Sequence, residues 1–309
     1  MIFLRCARAL SPSESLENIT LVIEDNKIIE LEPTSLGKLP GDAQVIAAGE
    51  LIAAPGYIDW QLNGGFGHDF TADPESLWEV AACLPAHGVT AFLPTIITSS
   101  LETYTHALQV LRAGPPPNFK GAQPLGYHFE GPFLNPGKKG AHDKNWLRKP
   151  LLADVPDWSR ENGVWLVTLA PELEGAFELI QDLRERGVVI SAGHSLADIE
   201  TAKRAIQTGL RGGTHLFNAM PPLEHRSPGL AAALLQSAEV MVGFIPDGLH
   251  LHPDLIDLIW QLKGAERVAI VTDAMAALGM PPGEYPLAAY NVRVDETRTR
   301  LADGTLAGS

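Results

Sequence analysis

A regular alternation of short apolar runs and helical segments occupies residues 54–283 of this chain. The apolar runs are nearly continuous, which is typical of parallel strands covered on both faces. The segments between them repeat apolar residues at helical spacing, and several end in glycine. The eight predicted strand cores are residues 56–62, 89–97, 124–130, 164–170, 188–194, 212–218, 240–247 and 267–273, and the six predicted helical segments are 74–88, 101–114, 175–187, 196–209, 228–237 and 252–264.

Eight strands that alternate with helices predict a (β/α)8 barrel of the TIM type. A doubly wound open sheet is the alternative. It is disfavoured because the chain has no nucleotide-type glycine loop after a strand.

Both ends of the chain have short β character instead of this alternation. Residues 1–53 are rich in β-branched residues, and residues 284–309 contain an Asp303-Gly304 turn. We expect the two ends to pair in one small β-sandwich domain, residues 1–53 with 284–309, beside a barrel of residues 54–283. No helix is predicted after the eighth strand, so we expect a barrel whose final helix is missing.

Charge and cysteine content narrow the class of function. The chain has 309 residues and a formal net charge of −14, which argues against nucleic acid or an anionic membrane surface as a general partner. Its two cysteines, Cys6 and Cys83, cannot form a disulfide framework and indicate a reducing compartment. No apolar run has the length of a membrane span, and the N-terminus lacks the pattern of a signal peptide. We therefore expect a cytoplasmic protein.

Polar side chains stand where several predicted strands end. In a barrel of parallel strands these ends share one rim, which is where chemistry is placed. One carboxylate and two imidazoles on that rim are ligands suited to Zn²⁺ or another divalent metal. The residues at these ends are Gln61, Asn63, Glu130, His194, His215, Asp247, His250 and Asp273.

Each of these residues also has a purely structural interpretation. A single histidine such as His194 usually makes structural hydrogen bonds, Glu130 could cap the following loop, and Asp273 could cap a helix. The coincidence across four strands is what favours a site. His128 is interpreted as a residue that supports the ligands, and three further histidines in a loop or in helices are expected at the surface: His68, His87 and His106.

Several motifs carry a family resemblance that runs through the whole chain. These motifs are IDWQLNGG, HFEGPFLNPGKKGAH, GHS, THLFNAMPP, DGLHLHP, VTDAM and DGTLAGS. Together they resemble the N-acetylglucosamine-6-phosphate deacetylases of the amidohydrolase superfamily. The resemblance implies hydrolysis of the acetamide of N-acetylglucosamine 6-phosphate to glucosamine 6-phosphate and acetate.

The resemblance also implies a role for each site residue. Glu130, His194 and His215 would hold the metal, Asp273 would act as general base and then general acid, and His142 would polarise the acetyl carbonyl. The substrate would be bound by Ala141, Asn218, Ala219, Arg226 and His250. In this family the arginine reaches the neighbouring subunit's site, so a homodimer is implied.

One difference from many amidohydrolases affects the metal count. Where those proteins carry His-x-His after the first strand, this chain has Gln61 and Asn63, which are poor metal ligands. We therefore expect one divalent metal ion, Zn²⁺, with these amides as hydrogen-bond partners around it. Three alternatives remain open: another amidohydrolase acting on a cyclic or peptide amide, a truncated and inactive phosphosugar-binding remnant, and a metal-free phosphosugar isomerase.

Overall fold

The computed structural model describes residues 1–34, 41, 43–295 and 298–309, which form two compact units, Met1–Tyr57 and Ile58–Ser309. The first unit contains one four-stranded sheet, whose strands are β1 (Ile2–Leu10), β2 (Ser15–Glu24), β3 (Lys27–Pro33) and β4 (Gln44–Ala53). The order is β3-β2-β1-β4, with β1 antiparallel to β2 and parallel to β4. The predicted β character of the N-terminal region is therefore confirmed.

The second unit contains the barrel and a smaller sheet. Its strands are β5 (Tyr57–Leu62), β6 (Gly64–Gly65), β7 (His68–Asp69), β8 (Val89–Ile97), β9 (Gln123–Pro124), β10 (Tyr127–Glu130), β11 (Val164–Leu169), β12 (Val189–Ala192), β13 (Gly212–Gly213), β14 (Met241–Phe244), β15 (Val268–Ile270), β16 (Gly283–Leu287), β17 (Tyr290–Val294) and β18 (Thr299–Arg300). Its helices are α1 (Leu77–Cys83), α2 (Leu101–Ala113), α3 (Ala176–Glu185), α4 (Ile199–Thr208), α5 (Gly229–Gln236) and α6 (Pro253–Lys263).

Eight parallel strands form the barrel in the order β15-β14-β13-β12-β11-β10-β8-β5. The two ends of this sheet meet just after β15, where Leu62 and Ala274 form a parallel bridge. The backbone N–H of Asp273 donates to the carbonyl of Gln61 at 2.9 Å, and that of Asn63 donates to Ala274 at 2.7 Å. All eight predicted strands and all six predicted helices are present, so the predicted barrel is confirmed.

Local sequence explains where the helices begin and end. Ser100 and Asp198 cap α2 and α4, because each side chain accepts a hydrogen bond from the backbone N–H three residues later. Glycines follow the last turn of both helices, as expected of helix stops. Buried aromatic rings join α2 to the barrel, where Tyr104 lies 4.7 Å from Phe129 between ring centroids. These contacts form part of one continuous apolar core.

A belt of polar side chains crosses the inside of the barrel just below the strand ends. We call Thr95, His128, Thr168, Ser191 and Thr214 the interior belt. His128 contacts Thr95 Oγ1 through Nδ1 at 3.2 Å and Thr168 Oγ1 through Nε2 at 2.8 Å. The Thr214 hydroxyl then bonds those of Thr168 and Ser191 at 2.7 and 2.6 Å. Every member is buried, so each polar group needs these partners.

The C-terminal segment forms a sheet of its own. Strands β16, β17 and β18 are antiparallel and belong to the second unit. The sequence predicted that this segment pairs with the N-terminal strands, so a β domain built from both chain ends stays a prediction. The last residue reaches the barrel rim, because Ser309 N–H donates to the carbonyl of Asp273 at 2.8 Å.

Two absences concern only the part of the chain that the structure describes. Within it, no helix follows β15. In the same residues no helix is long and apolar enough to cross a membrane.

Candidate active site

Three side chains from separate strands converge at the carboxyl-end rim of the barrel. Glu130 ends β10, His194 follows β12 and His215 follows β13. Glu130 Oε1 lies 3.1 Å from His194 Nε2 and 3.0 Å from His215 Nε2, and the two Nε2 atoms are 3.0 Å apart. All three side chains are buried. The structure therefore brings together the three residues that the sequence proposed as metal ligands.

The backbone at this rim is held in an unusual conformation. His194, His215 and Asp273 have φ angles of 48°, 28° and 51°, in the left-handed region that non-glycine residues rarely adopt. Such strain costs about 1–3 kcal/mol per residue and is concentrated at functional sites. Its occurrence at three strand ends indicates that the fold places these side chains at some cost to stability.

The three donor atoms fit a divalent cation. In a tetrahedral zinc site with bonds of about 2.0–2.1 Å, neighbouring ligand atoms lie about 3.3 Å apart, close to the separations seen here. His194 Nδ1 lies 2.8 Å from the carbonyl oxygen of Lys138, which can only accept, so the Nδ1 proton points there. The Nε2 atom then keeps a lone pair that faces the other two donors. This cluster is the only group of three such ligands in the described part of the chain.

Two amides after the first barrel strand support this cluster. Gln61 Nε2 donates to Glu130 Oε1 at 3.1 Å and to Asp273 Oδ1 at 3.2 Å. Asn63 Nδ2 donates to the same Asp273 oxygen at 2.7 Å. Both amides therefore act here as hydrogen-bond donors to carboxylates.

The electrostatics differ sharply between the two carboxylates. Burial alone would raise the pKa of Glu130, but its interactions with the imidazoles of His194 and His215 outweigh the effect of burial and hold the pKa well below its usual range. Burial, together with the charge of Glu130, raises the pKa of Asp273 to about 6. Two neighbouring carboxyl groups with separated pKa values can take different roles, one ionised and one able to exchange protons near neutrality.

His142 lies on the loop that follows β10 and is buried beside the cluster. Its ring is 4.4 Å from the ring of His194, and its Nε2 is 4.0 Å from Glu130 Oε2. Burial lowers its pKa well below the usual range, so the ring is neutral. Its Nδ1 contacts Thr98 at the end of β8. Thr98 was not predicted from the sequence, since a threonine after an apolar strand carries no distinctive signal.

The cluster opens into a cavity of about 390 Å³. This volume lies in the usual range for small-molecule sites. Four of the five predicted substrate-binding residues line it: Ala141, Asn218, Ala219 and His250. Arg226, the fifth, is exposed and is not among the lining residues.

Some residues that line this cavity were not predicted from the sequence. Lys138 and the C-terminal residues Thr305 and Gly308 line the same cavity. His250 is oriented by Asp247, whose Oδ2 lies 2.7 Å from its Nδ1. Asp247 is therefore the partner of a cavity residue.

The other histidines lie outside the ligand cluster. His128 is a member of the interior belt and is two residues before Glu130 on the same strand. Burial lowers its pKa to about 4, so it is neutral. His87 and His106 are exposed, as expected, and His68 is partly buried.

A parallel barrel whose rim holds a buried carboxylate, two imidazoles and a nearby aspartate has the arrangement of a metal-dependent hydrolase. Comparison with protein families supports this class, since residues 52–294 match the family model described as "Amidohydrolase family".

Three relatives make the comparison more specific. N-acetylglucosamine-6-phosphate deacetylase of Bacillus subtilis (strain 168) is 35% identical over 306 residues, covering 97% of this chain and 77% of that protein. The Danio rerio enzyme of the same name is 39% identical over 275 residues, covering 84% and 67%. The N-acetylglucosamine-6-phosphate deacetylase of Pasteurella multocida, known from a crystal structure, is 32% identical in sequence. Its structure matches with a TM-score of 0.90, and the match covers 99% of this chain and 80% of that chain. The chain belongs to the amidohydrolase family and, within it, to the N-acetylglucosamine-6-phosphate deacetylases.

Proposed function

We propose that this chain hydrolyses the acetamide of N-acetylglucosamine 6-phosphate to glucosamine 6-phosphate and acetate, in the breakdown or recycling of amino sugars. The observation that carries the proposal is the convergence of Glu130, His194 and His215 beside Asp273 in one cavity. The relatives that share this fold have that activity in their names.

A single divalent metal ion is part of this proposal. Glu130, His194 and His215 would hold it, and we propose Zn²⁺ because two imidazoles and one carboxylate suit its preferences. When bound, such an ion supplies Lewis-acid chemistry, activating a water molecule and polarising a carbonyl. Gln61 and Asn63 donate hydrogen bonds to carboxylates here and add no ligand for a second ion.

Asp273 is the proposed proton carrier. Its carboxylate takes a proton from the water that attacks the acetamide carbon, and afterwards gives a proton to the departing nitrogen. An amine leaves poorly unless it is protonated, so one residue must both accept and donate. A pKa of about 6 suits both tasks at neutral pH.

The remaining cavity residues are assigned to substrate binding. His142 stabilises the developing negative charge on the acetyl oxygen. Ala141, Asn218, Ala219 and His250 contact the sugar phosphate. Binding of the phosphate, remote from the reacting bond, orients the amide and is expressed in kcat as well as KM.

A homodimer completes the proposed site. The proposal is supported by the exposure of Arg226, which does not line the cavity of its own chain and is available to a neighbouring subunit. A cytoplasmic location, expected from the two cysteines, stays a prediction.

The test is metal analysis combined with an acetate-release assay on the purified 309-residue chain. Bound metal with acetate release from N-acetylglucosamine 6-phosphate supports the proposal. Bound metal without release would indicate the inactive remnant, and release from a cyclic or peptide amide instead would indicate another amidohydrolase. Absence of metal binding would overturn the proposed chemistry.

A further inference from the structure

We infer that Thr98 is a positioning residue that sets the tautomer of His142, so that His142 presents an N–H donor to the substrate while the adjacent His194 presents a lone pair. This inference rests on the proposed function, because it concerns how His142 would contact the acetyl oxygen. It adds the residue that follows the second barrel strand, β8, to the site.

The contacts of His142 Nδ1 identify where its ring proton lies. The backbone N–H of Thr98 points at this nitrogen, with 3.2 Å between the two nitrogen atoms. A backbone N–H can only donate, so Nδ1 must accept and cannot carry a proton. A neutral imidazole has one N–H, which is therefore on Nε2. The Thr98 hydroxyl, 2.8 Å from Nδ1, can donate to the same lone pair.

The opposite tautomer is incompatible with this arrangement. A proton on Nδ1 could be given to Thr98 Oγ1, and that hydroxyl could then donate to the Glu130 carbonyl, 3.5 Å away. The backbone N–H of Thr98 would then face another N–H inside a buried region. One unpaired buried donor disfavours that state by roughly tenfold to a hundredfold.

His194 has the opposite tautomer. Its Nδ1 lies 2.8 Å from the carbonyl oxygen of Lys138, so the proton is on Nδ1 and the lone pair of Nε2 faces Glu130 and His215. The centroids of the two rings are only 4.4 Å apart. The carbonyl of Lys138 sets the tautomer of His194, and the backbone N–H of Thr98 sets the tautomer of His142. Lys138 lies on the loop that also carries His142, so this one loop acts on both histidines.

The assignment limits what His142 can do. A neutral ring with its proton on Nε2 can donate a hydrogen bond to an oxygen that gains negative charge, but its only lone pair is already used by Thr98. His142 therefore cannot serve as the general base from this position, and proton acceptance is left to Asp273. The fold thus separates oxyanion stabilisation from proton transfer.

The direct test is ¹⁵N NMR of the Zn²⁺-loaded chain with ¹⁵N-labelled histidine, using long-range correlations that distinguish protonated from unprotonated ring nitrogens. The signals of His142 are identified among those of the ten histidines by comparison with His142→Gln, whose spectrum lacks them. We expect the His142 Nδ1 to be unprotonated and Nε2 protonated, and the same pattern after metal removal by a chelator. A protonated Nδ1 would overturn the inference.

Substitutions at Thr98 test whether the contact matters for turnover. Thr98→Val keeps the backbone donor, loses the hydroxyl and places a methyl group against Nδ1, so the ring is displaced. We expect kcat to fall about tenfold or more, with KM changed less than about threefold, because misplacement of a group that acts on the transition state lowers kcat. Thr98→Ser keeps both donors and should restore most of kcat.

Ser99→Ala is the matched control. Ser99 is the next residue, and its hydroxyl bonds Thr103 rather than His142. Unchanged turnover in Thr98→Val, or a loss in Thr98→Ser as large as that in Thr98→Val, would contradict the positioning role. An inactive wild-type chain with the expected NMR pattern would refute the proposed function and leave the tautomer assignment intact.

Discussion

Replacing Asp273 by asparagine separates proton transfer from site geometry. Both hydrogen bonds from the neighbouring amides use one oxygen, Asp273 Oδ1, which accepts from Asn63 at 2.7 Å and Gln61 at 3.2 Å. An asparagine oxygen can accept both. The backbone also tolerates the change, since Asp273 has φ 51° and asparagine adopts the left-handed region more readily than most residues. The variant should therefore keep its fold and metal.

The expected loss of rate follows from the two tasks of this carboxylate. A positioned acid or base contributes about 10²–10⁴-fold to a rate. Asp273 acts first as acceptor and then as donor, so we expect kcat to fall by about 10³–10⁴-fold. That loss corresponds to about 4–5.5 kcal/mol in activation free energy. KM should change little, because asparagine keeps the polar contacts.

The assay is steady-state acetate release, with metal content measured on the same samples. Asp69→Asn is a suitable control, because Asp69 is buried, its pKa is also raised to about 6, and it does not line the cavity. We expect that control to keep turnover. Near-full activity of Asp273→Asn with bound metal would refute the proton-carrier role, and loss of metal from this variant would show that Asp273 is a ligand.

Three further predictions concern the metal, the phosphate and the effect of pH. Glu130→Gln should reduce bound metal from about one ion per chain to near zero, because the only carboxylate of the cluster is lost; metal retained at full occupancy would contradict the ligand assignment. Arg226→Ala should raise KM for N-acetylglucosamine 6-phosphate with little effect on unphosphorylated N-acetylglucosamine; equal losses on both would argue against the phosphate contact. Burial raises the pKa of Asp69 from 3.8 to about 6, so the folded chain binds the proton more tightly than the unfolded chain, and wild-type stability falls as pH rises from about 4 to 6. Two pKa units correspond to about 3 kcal/mol. Across this pH range, the free energy of unfolding of Asp69→Asn, measured in urea, should therefore rise by up to that amount relative to wild type. A difference between the two proteins that stays constant with pH would contradict the assignment.

The interior belt shows why the hydrogen-bond partners of a supporting residue cannot be predicted from the sequence. His128 and Thr168 are separated by 40 positions, yet their side chains are hydrogen-bonded at 2.8 Å. Neither residue interrupts its strand pattern in a way that signals a partner. The pairing depends on which strands are neighbours and on their register, and both arise only when the barrel forms.

Thr98 illustrates the same limit at the site itself. Strand β8 ends in an apolar run, and nothing in its composition indicates that the next residue meets a histidine 44 positions later. The ring tautomers of His142 and His194 were likewise beyond prediction, because each depends on one backbone group placed by a loop. Such contacts are decided by loop geometry, which local sequence constrains weakly.

The sequence by itself determined the barrel and the chemical nature of its rim. Apolar periodicity located the eight strands, and strand-end positions identified Glu130, His194, His215 and Asp273, since the carboxyl ends of parallel strands must share one edge. Only the tertiary structure decided how these groups act on one another. It set which nitrogen of each histidine carries the proton, and it separated the pKa values of the two carboxylates, because hydrogen-bond direction and burial exist only after distant strands have packed together.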